Sequence, residues 1–133
     1  MLKKNYKDVE GKQAVLMDGS QVEGVYIRWL IDENVGAKNF AMRRIEIESD
    51  AKVPLHNHPE DHEIYILSGM AKFYNDVGQE EVVKEGDIIY IPPNEKHGID
   101  NLSEENFAFL CIIPYLKKEK VDVIKRSSDK KST

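Results

Sequence analysis

Residues 56–62 read His56-Asn57-His58-Pro59-Glu60-Asp61-His62, three histidines in seven positions. The fourth and last histidine of the chain closes the string Pro92-Pro93-Asn94-Glu95-Lys96-His97. Imidazole is the commonest side-chain ligand for divalent transition metals. For one isolated histidine, packing inside a core is the plainer reading. Four gathered into two short stretches point instead to a metal site built from His56, His58, His62 and His97. Side chains on a strand alternate between its faces, so even separations share one face. His56, His58 and His62 can therefore face one interior, with Pro59 bending the chain between the second and the third. His97 arrives from a separate segment, so the site would tie two strands together.

Outward from these stretches the chain reads as short strands broken by turns. Segments 24–31, 39–48, 63–67, 71–74, 80–83, 88–91 and 106–113 are rich in β-branched and aromatic residues. Ser68-Gly69, Asp76-Val77-Gly78-Gln79 and Lys84-Glu85-Gly86-Asp87 supply turn signals about every ten residues, the rhythm of an all-β sandwich or barrel. No amphipathic helix is expected in residues 14–114, and only Lys117–Arg126 has the pattern of a short terminal one. No repeat or internal domain boundary is visible. Residues 1–115 are expected to form one β-barrel domain, with residues 1–13 as a strand or arm that pairs protomers.

A chain of 133 residues is long enough to bury a core, and its 41% apolar and 32% charged residues suit a water-soluble globule. The net charge of −5 gives no hint of nucleic-acid binding. Charge is unevenly spread: residues 117–133 carry seven lysines and arginines against three acids. Residues 116–133 are thus expected to be a basic, disordered tail. The single cysteine, Cys111, excludes an internal disulfide. The N-terminus lacks the apolar region of a secretory signal, and no apolar run reaches the ~18 residues of a membrane span. A cytoplasmic location, without membrane partners, is expected.

The spacing Asp50-(x5)-His56-x-His58-(x3)-His62-(x6)-Gly69 resembles the first motif of the cupin superfamily, G(X)5HXH(X)3,4E(X)6G. Likewise Gly86-(x5)-Pro92-x-Asn94-(x2)-His97-(x3)-Asn101 resembles the second, G(X)5PXG(X)2H(X)3N. Three positions depart from the pattern. Asp50 and Asn94 stand where glycines are usual, and asparagine tolerates the left-handed turn such a glycine adopts. His62 stands where many cupins carry glutamate; Glu63 fits a looser spacing but should point to the other strand face. The chain is similar to the small four-histidine, manganese-type cupins of bacteria and archaea. Their H-x-H-P-x-x-H-E and P-N-E-x-H-G strings match His56–Glu63 and Pro93–Gly98, and their Phe-Leu-Cys-x-Ile-Pro ending matches Phe109–Pro114.

That resemblance implies a double-stranded β-helix, a jelly-roll-like barrel, holding one divalent ion near its mouth. Manganese is the ion the resemblance favours; iron, nickel, copper or zinc also suit imidazole donors. Four neutral imidazoles leave the ion its full charge, and an octahedral ion would keep two positions for water, substrate or O2. Glu60, Asp61 and Glu95 are close enough in sequence to orient the rings, although each alone reads as a solvated acid. Asn101 is expected to tie down the turn after His97. Phe109, Cys111 and Tyr65 are candidates to line the pocket, with plain core packing the competing reading for the first two; no separate acid or base stands out.

The favoured function is a small-molecule oxidoreductase of dioxygenase type, acting as a homodimer. One alternative is a redox-neutral isomerase, epimerase or decarboxylase. The other is a non-catalytic binding or sensor protein. The facing of Arg28, Arg43 and Arg44 discriminates: an inward arginine favours a phosphate or carboxylate substrate, while an apolar pocket beside the ion favours oxygen chemistry over sensing.

Overall fold

The computed structural model describes residues 1–116. The basic segment 117–133, with the helix expected at Lys117–Arg126, lies outside the described residues. Among the described residues the regular structure is β, apart from two single 3-10 turns at Tyr6–Asp8 and Glu33–Val35. No described helix is long and apolar enough to cross a membrane.

The ten strands run β1 (Gly11–Val15), β2 (Gln21–Ile31), β3 (Phe40–Ile47), β4 (Lys52–His56), β5 (His62–Ser68), β6 (Met70–Asn75), β7 (Glu80–Lys84), β8 (Ile88–Ile91), β9 (His97–Asn101) and β10 (Phe107–Pro114). They form two antiparallel sheets, ordered β1-β2-β3-β10-β5-β8 and β4-β9-β6-β7, closed face to face as a β-barrel. Alternation sets the facing of each strand. In β3, Ala41, Arg43, Ile45 and Ile47 are buried while Arg44 and Glu46 turn outward. In β5 the buried set is His62, Ile64 and Ile66.

The floor of the barrel is apolar. Phe107, Phe109, Ile47, Ile66 and Val25 are almost wholly buried. Phe73 from the second sheet meets Phe107 and Phe109 edge-on at 6.2 and 5.7 Å between centroids, which favours the aromatic quadrupoles and locks the sheets together. Asn101 bridges three segments: its amide donates to the carbonyls of Ile47, Glu48 and Glu105, and its side-chain oxygen accepts from Ser103. It thus fixes the chain after β9, where a tie was expected.

Tyr6 and Val9 pack against β2 and β3. Arg28 Nη1 donates to the Val9 carbonyl at 2.6 Å, and the guanidinium of Arg44 sits 4.0 Å from the Tyr6 ring centroid. This contact occupies both outward arginines.

Candidate metal centre

Four histidines meet at one end of the barrel, delivered by both sheets. His56 ends β4 and His97 begins β9, directly opposite in the ladder. His62 begins β5 in the other sheet, and His58 lies in the connection between β4 and β5. The alternation argument therefore does not apply to His58, which is off any strand; Pro59 and the turn behind it swing the ring inward instead. His58, His62 and His97 are buried and His56 half-buried.

Ligand atoms of His56, His58 and His97 all lie within 4.8 Å of one another. His62 lies beside this group of three without belonging to it: its Nε2 is 2.8 Å from His58 Nε2, and its ring centroid is 5.0 Å from that of His97.

The outer ring nitrogens show how the rings are held. His56 Nδ1 is 2.8 Å from the Pro54 carbonyl, and His97 Nδ1 is 2.9 Å from the Glu95 carbonyl. A carbonyl can only accept, so both Nδ1 atoms carry the hydrogen and both Nε2 atoms offer a lone pair inward. His58 Nδ1 faces Glu60 Oε1 at 3.4 Å, and neither atom has a closer partner among the described residues. That contact is the main reason the Glu60 carboxyl is held below the usual carboxylate range. Burial pushes His97 down to about 4 and lowers His56 as well. Burial, and then the nearby Arg43 charge, hold His62 far below the usual imidazole range. These three rings stay neutral at pH 7, the form that binds metal.

The donor set fits a divalent transition ion. Adjacent nitrogens about an ion with ~2.1 Å bonds lie about 3 Å apart, close to the His58–His62 spacing. A cluster of neutral imidazoles backed by main-chain carbonyls and one carboxylate is chemically suited to such an ion.

The cluster opens onto a cavity of about 540 Å3 with mostly apolar walls, among them Val25, Ile27, Trp29, Ile45, Phe73 and Phe109. Phe109 lines it, as expected. Cys111 is buried but stands behind the wall, its sulfur accepting from Arg43 Nη2 at 3.1 Å, and burial raises its thiol pKa. Tyr65 does not line the cavity: it lies between the inward Ile64 and Ile66, so alternation turns it to solvent, 49% exposed. Glu63 faces outward for the same reason. Of the three nearby acids only Glu60 touches an imidazole. Asp61 accepts from the Tyr90 hydroxyl on the surface, and Glu95 acts through its backbone carbonyl.

Among the three arginines weighed from the sequence, Arg43 alone faces inward. It is 7% exposed and lines the cavity. The inward parity of Ile45 and Ile47 carried this signal, but the apolar run Phe40-Ala41-Met42 obscured it.

Residues 43–113 match the cupin domain family. The oxalate-binding protein of Thermotoga maritima is 31% identical over 98 residues, covering 73% of this chain and 80% of that protein. An uncharacterized protein of Methanocaldococcus jannaschii is 37% identical over 92 residues, covering 67% and 72%. Among solved structures, the polyketide cyclase RemF from Streptomyces resistomycificus superposes with a TM-score of 0.77 at 25% identity, over 98% of this chain and 97% of that one.

Proposed function

Because the chain belongs to the cupin family, we propose that it is a metal-dependent enzyme acting on a small organic anion. The observation that carries this reading is the histidine cluster at the end of a half-open, mostly apolar cavity with one inward arginine. His56, His58, His62 and His97 would hold a divalent ion, with manganese favoured. When bound, such an ion supplies Lewis acidity toward an oxygen donor of the substrate. The chain's own residues do the rest. Glu60 and the Pro54 and Glu95 carbonyls orient three rings. The mostly apolar walls lower the effective dielectric around the site, which strengthens charge interactions inside. Arg43 supplies a fixed positive charge that suits a carboxylate or enolate.

An inward arginine favours redox-neutral chemistry of the decarboxylase, isomerase or cyclase kind. The name of one relative, an oxalate-binding protein, agrees with an anionic ligand, and another similar protein is a polyketide cyclase. A dioxygenase is the second reading, favoured by the apolar walls beside the cluster. We also read the protein as a cytoplasmic homodimer. The edge strand β8 presents Ile88 (77% exposed) and Tyr90 (56%), an apolar edge of the kind that pairs.

The test is elemental analysis of untagged protein purified without chelator, beside a His58→Ala control. We expect about one transition ion per chain in the wild type and a clear loss in the variant. A wild type that holds no metal and takes none up on reconstitution would sink the reading.

A further inference from the structure

Arg43 is a charged side chain, 93% buried, without an ion-paired carboxylate among the described residues. Its Nε has no hydrogen-bond partner, and its Nη2 donates only to the Cys111 sulfur, a weak acceptor. The ladders explain its position. Register sets Trp29 opposite Arg43 on one neighbouring strand and Cys111 opposite it on the other. The guanidinium carbon sits 5.4 Å from the Trp29 ring centroid, within cation–π range, so the fork lies over the indole beside the cavity.

Removing a guanidinium from water without pairing it costs several kcal/mol. A fold keeps such a group where a ligand completes it. Glu60 feels the Arg43 charge, but its carboxylate lies against His58 and forms no ion pair with Arg43. Beside the histidines the remaining walls are mostly aliphatic and aromatic, with Lys12, Gln13, Asp18 and Asn57 as the polar exceptions, and they border a volume within the usual range for drug-sized ligands, roughly 300–1,000 Å3. A two-carbon dianion would leave most of that surface without a partner.

We propose that Arg43 is the specificity-determining anchor for an amphipathic monocarboxylate: a 2-oxo or 2-hydroxy acid whose carboxylate accepts from the Arg43 fork, whose adjacent oxygen faces the histidine cluster, and whose aryl or branched-alkyl body fills the cavity. This deepens the metal-enzyme reading and rests on it for the histidine-facing oxygen. The carboxylate contact itself needs only Arg43.

The experiment is calorimetric titration of four probes into the full chain, manganese-loaded and metal-free. The probes are phenylpyruvate, 4-methyl-2-oxopentanoate, phenylacetone (the aryl body without its carboxylate) and oxalate. Trp29 is the chain's single tryptophan, so its emission gives a second readout at the Arg43 fork. We expect at least one of the two amphipathic acids to bind the wild type about tenfold or more tightly than phenylacetone and oxalate, with a shift in Trp29 emission. Arg43→Met should erase that preference and Arg43→Lys should keep part of it. Arg43→Met should also denature no earlier than the wild type, because it removes an unpaired buried charge. If it does not fold, Arg43→Lys carries the comparison.

The proposal is overturned if neither acid binds the wild type, if oxalate binds as tightly as they do, or if binding is indifferent to Arg43. The two readings fail separately. Arg43-dependent binding in a protein that takes up no metal leaves the anchor standing and removes the metal. Stoichiometric metal with Arg43-independent binding does the reverse.

Discussion

His58 shows how much of the centre depends on one side chain. Its Nδ1 meets Glu60, its Nε2 meets His62, and its ring lies 5.7 Å from that of His97. Glu60→Gln keeps the shape but removes the charge that orients the ring. We expect it to weaken manganese binding by roughly 10–100-fold, read by competition with a chelating dye. The depressed histidines also make a statement about acid. His97 titrates near 4 in the folded protein and at the usual 6.5 in the unfolded chain. Between those values the unfolded state binds a proton that the native state refuses, so stability falls as pH drops through this window and levels off below it. His56 and His62 shift in the same direction and add to the effect. The urea midpoint of metal-free protein, measured from pH 8 to pH 4, should fall in that interval; a flat profile would count against neutral buried imidazoles.

At the scale of elements, the turns decide whether strands register. Gly69 joins β5 to β6 at φ +87°, and a Cβ there would stand 3.1 Å from both the Asn106 carbonyl oxygen and the Phe107 Cα. Gly69→Ala combines backbone strain with a tight main-chain contact. We expect a loss of about 1–3 kcal/mol in denaturant unfolding. Asp50 and Asn94, standing where glycines are usual, adopt φ 65° and 66°, so the turns survive on residues that tolerate that region.

The same scale explains what the sequence disclosed. β2, β3, β5 and β10 were legible because their inward residues alternate in apolar runs. β4 and β9 were not, since Pro54 interrupts one and Gly98, Asp100 and Asn101 dilute the other; pairing between them, not composition, makes them strands. The gathering of four histidines was legible from spacing. The inward turn of Arg43 and the outward turn of Tyr65 follow from parity with neighbouring isoleucines. That His58 sits off the strand was hidden, because spacing alone does not separate a strand from the bend at Pro59.

For the whole molecule, the histidine cluster is a clasp between sheets. His56 and His97 belong to the four-stranded sheet and His62 to the six-stranded one, while the Phe73–Phe107–Phe109 contact joins the same sheets at the floor. Phe109→Ala should therefore cost about 3–5 kcal/mol, seen as a lower denaturant midpoint with or without metal. Manganese at about a thousandfold over its dissociation constant should stabilise the native state by about 4 kcal/mol. In a thermal melt that is a rise of the order of 10 °C, reversed by chelator. A melting temperature indifferent to both would remove the clasp.

Two of the ring nitrogens at the mouth already lean on carbonyl oxygens of their own strand ends, and a third leans on a glutamate. A pocket so braced would fill without refolding, and its acceptance of an ion would be quick compared with its release. Imidazole by itself ranks copper and nickel above manganese and iron. Which ion a given copy carries would then follow the ions supplied around it, making the occupant a trace of the chain's surroundings as much as a property of its sequence.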